Sequence, residues 1–126
     1  MELMSWDNLS GVIVDYNVND GGLEIITTDG VWQWTAEGDC CAHAYIHEPT
    51  TVAEELKALI DQRIVSSDVD GGNREDDGSY GEVRDITFYK IQCEKGSITI
   101  TLYVDHNGYY GGSLSGGKLD ASDHSF

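Results

Sequence analysis

Between Ser97 and Val104 the side chains of Ile98, Ile100, Leu102 and Val104 alternate with Thr99, Thr101 and Tyr103. A period of two puts every apolar group on one face of an extended chain, and no helix does so; the segment is a half-buried strand. The same grammar recurs. Val12, Val14 and Tyr16 alternate with Ile13 and Asp15, and Leu23, Ile25 and Thr27 with Glu24, Ile26 and Thr28. Val31 to Ala36 places Trp32 and Trp34 on one face, and Ile86 to Cys93 is a further apolar-rich strand. Asp29-Gly30 predicts a type I′ hairpin turn, whose central residues need positive φ, and Lys95-Gly96 a second tight turn. Both halves read strand, Gly turn, strand, acidic loop, which suggests a duplicated β unit.

One helix interrupts the strands. Thr51-Val52-Ala53-Glu54 has the form of a capping box, with Pro49 just before it. Val52, Leu56, Leu59, Ile60 and Ile64 then recur at helical spacing. Residues 66–81 offer almost nothing to bury and read as a long loop, and the chain from Ser115 reads as a tail. The expected architecture is α+β and β-rich: an antiparallel twisted sheet or small sandwich of five to seven strands, with one main helix packed on a face. A single domain is expected over 1–114, with a flexible tail over 115–126.

Charge restricts the partners. Against 23 Asp and Glu the 126-residue chain has 7 Lys and Arg, a formal net charge of −16. The first 56 residues hold no Lys or Arg at all. Binding to a phosphate backbone depends on cations displacing counterions, so nucleic acid and anionic membranes are poor partners. A chain 40% hydrophobic is too apolar for a disordered acidic tail. No stretch has the length of a membrane span and the start lacks the pattern of a signal peptide, which predicts a soluble, cytoplasmic protein. Three cysteines, two of them adjacent, fit reduced thiols better than a disulfide framework.

Three stretches carry chemistry-bearing residues. Cys40, Cys41, His43 and His47 are zinc-capable, and the histidines would share a face if the stretch were helical. Adjacent cysteines diverge in any regular backbone, so buried thiols at a strand end are the favoured reading and no cofactor is expected, zinc being the alternative. Cys41 with His43 or His47 as thiolate and base lacks an orienting third group. Asp68 to Gly78 has the oxygen ligands of a calcium loop without the order of an EF-hand, and reads as solvated chain. Asn107-Gly108-Tyr109-Tyr110-Gly111-Gly112 combines flat aromatic surfaces with close backbone approach, as an aromatic corner or a recognition loop.

Ala36-Glu37-Gly38-Asp39-Cys40-Cys41, followed by Asn107 to Leu114 after a Gly-turn hairpin, resembles an uncharacterised family of small proteins encoded by bacteriophages and prophages. The resemblance runs from about residue 10 to residue 114. It implies a phage context and carries no activity or catalytic residue. No catalytic motif stands out, and a non-enzyme is expected.

Two functions follow, ahead of a third reading as a metal-binding protein or a metal-dependent or cysteine enzyme. The first is an acidic interaction protein, an inhibitor of host defence of the anti-CRISPR or anti-restriction kind. It would mimic DNA toward a host protein with a basic groove through Asp15, Asp20, Glu24, Asp29, Glu37, Asp39, Tyr109 and Tyr110. The second is a small-molecule binder, a sponge for a nucleotide signal, with a basic pocket assembled in an oligomer from Arg63, Arg74, Arg84 and Lys90.

Overall fold

A computed structural model describes residues 6, 9–38, 42–76, 83–106 and 112–119, and for 72–76 the backbone alone. Eight strands and one helix follow in the order β1 (Ile13–Asn19), β2 (Gly22–Thr27), β3 (Gly30–Gly38), β4 (His43–Ile46), α1 (Pro49–Ala58), β5 (Ile64–Asp76), β6 (Val83–Cys93), β7 (Ser97–His106) and β8 (Gly112–Lys118). They form two antiparallel four-stranded sheets, β1-β2-β3-β8 and β4-β7-β6-β5. The expected β-rich sandwich with one helix is present, with eight strands instead of five to seven.

The topology has a repeat in it. β1-β2-β3 is a meander, and so is β5-β6-β7; the strand after each meander crosses to the opposite sheet. β4 pairs with β7 and β8 pairs with β3. β3 ends where its Gly38 pairs with Gly112, the first residue of β8. A Cβ on Gly112 would sit 2.6 Å from the Glu37 carbonyl oxygen and 3.1 Å from the Gly38 Cα, so only glycine fits that corner.

Period two builds the core. Leu23, Ile25, Trp32 and Trp34 from one sheet meet Tyr89, Ile91, Ile98, Ile100, Leu102 and Val104 from the other in one buried cluster. Trp6 lies in the same cluster, its Nε1–H donating to the Lys90 carbonyl over 3.0 Å. α1 packs on β1 and β7 through Val52 and Leu56, and so leans on both sheets.

Several local expectations need correction. Ile13 is buried while Val14 is 46% exposed, and a bulge between Ile13 and Asp15 resets the alternation so that Tyr16 and Val18 turn inward. The β2–β3 connection is Thr28-Asp29, one residue earlier than the predicted turn, closed by the Thr27–Gly30 pair. Asp29 takes no positive φ; its amide instead donates to the Thr27 hydroxyl oxygen at 2.9 Å. The helix starts at Pro49 without a capping box: Glu48 is the N-cap in left-handed backbone (φ 50°), and Pro at the first position has no amide to satisfy. Ile64, expected on the helical stripe, belongs to β5.

Two whole strands replace predicted loop and tail. β5 runs through residues read as loop, because its backbone is satisfied by the ladder to β6 and an edge strand need bury little. Gly71 and Gly72 fall at its register shift between Asp70 and Asn73. β8 continues to Lys118, which pairs with Trp32, so Ser115 to Lys118 are sheet. Residues 120–126 lie outside the described residues.

Candidate functional site

On the β1-β2-β3-β8 sheet, burial of the Leu23, Ile25, Trp32 and Trp34 row forces their neighbours outward. Asn17, Glu24 and Gln33 form one cross-strand row, and the Gln33 amide donates to Glu24 over 2.6 Å. Asp15 lies on the adjacent row, about 7–8 Å from Glu24 by the diagonal spacing of antiparallel strands. Glu37 stands at the far end, paired with Ser113. A shallow depression of about 210 Å³ runs between Asn17, Asn19, Glu24, Gln33 and Thr35. Among the described residues, no Lys or Arg is on this face. The sheet's one cation among them, Lys118, is exposed and pairs with Trp32, its Nζ 5.3 Å from the Trp32 ring centre.

The predicted binding set is therefore partly gathered. Asp15, Glu24 and Glu37 share the face. Asp20 is at the β1–β2 turn and Asp29 at the opposite end, where it accepts from the Ser10 hydroxyl at 2.7 Å. Asp39, Tyr109 and Tyr110 lie outside the described residues. The other carboxylates are dispersed: Glu54 and Glu55 on α1, and Asp68 and Asp70 on β5. Among the described residues acidity is spread over the molecule, and what distinguishes this face is that none of their Lys or Arg side chains stands on it.

The opposite outer face differs in chemistry. With Val83, Tyr89, Ile91 and Cys93 inward, β6 turns Arg84, Ile86 and Phe88 out beside Asp105, Tyr103 and Thr101 of β7. The Arg84 guanidinium lies 4.5 Å from the Tyr103 ring centre, and its Nε donates to Asp105 at 2.8 Å. The Tyr45 hydroxyl donates to the same carboxylate at 3.3 Å. Burial first, then the Asp105 charge, pushes the Tyr45 phenol above its ordinary value. Ring contacts continue from His43 to Tyr45 (5.0 Å), from Tyr45 to Tyr103 (5.7 Å) and from Tyr103 to His47 (4.7 Å).

A cleft of about 630 Å³ joins the two faces. The β1–β2 turn, the end of β4 and the start of α1 enclose it, bringing Val18, Asp20, Tyr45, His47, Glu48 and Pro49 together. The Ile46 amide donates to the Asp20 carbonyl at 2.8 Å, which pins the turn to β4. His47 Nε2 lies 3.4 Å from Glu48.

The zinc alternative changes accordingly. β4 is a strand over His43–Ile46 and His47 follows its end, so the two histidines do not share the helical face that the zinc reading needs. Cys40 and Cys41 lie outside the described residues. Among those described, no group of three His, Cys, Asp or Glu could hold a metal. For the nucleotide pocket, Arg84 and Lys90 already face carboxylates, Lys90 at 3.5 Å from Asp70. Arg63 bridges to Val12 through its backbone, and the Arg74 side chain is not described.

Sequence reasoning passed over His106, which is buried with Nε2 2.8 Å from Asp85. Its signal was present: it continues the inward row Ile98 to Val104 by one further step. Cys93 is a second buried polar group. Burial and then the Glu94 charge push its thiol above the ordinary 9.0, and burial pushes Tyr89 above 10.0 against a hydrogen bond from the Leu114 amide. Above pH 9 the unfolded chain sheds these protons before the folded one does, so stability is expected to fall from there through pH 10 and beyond. Urea unfolding at about pH 8 and about pH 10.5 checks this, and Cys93→Ala should remove the first part of the decline.

A family described as a domain of unknown function, DUF7448, matches residues 8–115. The chain belongs to DUF7448. The DUF7448 match takes in β1 to β7 and the start of β8, including the corner where Gly38 meets Gly112. No curated protein and no solved structure matches the chain.

Proposed function

We propose that this DUF7448 protein is an interaction protein, a phage-encoded inhibitor that offers carboxylates to the basic groove of a host nucleic-acid enzyme. The observation that carries the reading is the outer face of the β1-β2-β3-β8 sheet. Asp15, Glu24 and Glu37 stand there among amides and hydroxyls, with no cation among the described residues. The strands fix their spacing, and the net charge of −16 supplies long-range attraction toward a basic surface. The nucleotide-sponge reading has less support, since Arg84 and Lys90 are engaged with Asp105 and Asp70.

The test is capture from host lysate at low salt, followed by elution at high salt. A nuclease or another nucleic-acid enzyme should be recovered. Combined Asp15→Asn, Glu24→Gln and Glu37→Gln should slow its association about tenfold at low salt and weaken the salt dependence. Recovery of no such enzyme, or equal association by the variant, would refute the reading.

A further inference from the structure

The cleft between the β1–β2 turn, β4 and α1 has walls of two kinds of chemistry. Val18 and Pro49 are apolar, Tyr45 and His47 supply rings, and Asp20 and Glu48 supply carboxylates. No Lys or Arg lines it among the described residues. Asp20 and Glu48 are both exposed, and Glu48 keeps a long charged side chain on left-handed backbone (φ 50°), where glycine would fit without strain.

The same protein shows how such a set receives a guanidinium. One strand away, Arg84 lies over the Tyr103 ring at 4.5 Å and bonds to Asp105 at 2.8 Å. Tyrosine ring and carboxylate together hold the planar cation, by its π-face and by its N–H fork. The cleft repeats those acceptors, with no Lys or Arg lining it among the described residues.

We propose that the cleft receives an arginine side chain of the partner protein, its stem against Val18 and Pro49 and its guanidinium between Asp20, Glu48 and the Tyr45 ring. The inference rests on the reading of a basic partner and names the residue type on it that is recognised. Arginine fits better than lysine, since a compact ammonium has no flat face to lay on a ring. Asn19 lines both the cleft and the depression on the carboxylate face, so one partner surface can engage the two together.

The probe is the tripeptide acetyl-Gly-Arg-Gly-amide, with the citrulline and lysine tripeptides beside it, titrated into the full chain and followed by backbone amide shifts. The arginine peptide should move residues 18–20 and 45–50, and the citrulline peptide should not. Combined Asp20→Asn and Glu48→Gln should weaken the arginine peptide at least about tenfold. Combined Glu24→Gln and Glu37→Gln, with the same change in net charge, should weaken it less than about threefold. No arginine-dependent shift, equal binding of the lysine peptide, or loss caused equally by both variants overturns the proposal. Shifts at Asn17, Glu24 and Gln33 instead would overturn the cleft and leave the carboxylate-face reading standing. Arginine in the cleft with no nucleic-acid enzyme captured from lysate would sink that reading alone.

Discussion

Gly116→Ala is expected to destabilise the fold by more than about 3 kcal/mol, in the range reserved for substitutions that force backbone apart. Gly116 takes φ 139°, and a Cβ there would lie 2.1 Å from the Gln33 carbonyl oxygen and 3.1 Å from the Trp34 Cα. Both obstacles are main chain of β3, which pairs with β2 on its other edge. Relief requires parting β8 from β3 around the Trp34–Gly116 pair. Ser115→Ala, one residue away and facing outward, should stay within about 0.5 kcal/mol of the parent. Urea unfolding measures both, and faster amide exchange confined to β8 and its partner in β3 would locate the damage. A Gly116→Ala protein of unchanged stability would show that β8 does not pair there.

Trp6→Ala should cost about 3–5 kcal/mol, as expected for a large aromatic ring removed from a full core. Trp6 is fully buried, with ring centres 4.6 Å from Trp34 and 5.2 Å from Tyr89. It also makes two polar links to residues distant in sequence: its Nε1–H donates to the Lys90 carbonyl, and its own carbonyl accepts from the Ser67 hydroxyl. Trp6→Phe keeps much of the packing and leaves the Lys90 carbonyl short of a donor, so about 1–3 kcal/mol is expected. Trp34→Phe is the useful contrast, because the Trp34 Nε1 is buried with no hydrogen-bond partner among the described residues. The loss there should be of area alone. Urea midpoints for the three variants give the comparison, and a Trp6→Ala loss below about 1 kcal/mol would mean that the segment before β1 does not close the core.

What could be read beforehand depended on where each strand keeps its information. β2, β3 and β7 were visible because their apolar residues alternate against polar ones. β5 was not, since Ser66, Asp68, Asp70 and Gly71 offer no apolar face and only the ladder to β6 makes them a strand. β8 was hidden for a related reason: Leu114 is its one buried residue, and Gly116, which looked like tail, is demanded by close approach to β3. The bulge in β1 inverted an alternation that was otherwise read correctly. Glu37, read as loop, stands outward because β3 runs on to Gly38, whereas outward placement of Glu24 followed from period two alone. The cleft and the Arg84–Asp105–Tyr45 contact could not, because they depend on which residues stand opposite across strands distant in sequence.

The crossing of β4 and β8 makes the two halves of the chain an interlocked pair. Neither half completes its own sheet: the first meander lacks an outer strand until the last segment of the chain arrives, and the second is finished by a strand already laid down before the helix. Folding must therefore await pairings remote along the chain, which slows the search and withholds stability until both halves are present. A gene fragment encoding either half alone would specify an open, unfinished sheet, so the chain must be inherited and shuffled as an indivisible unit.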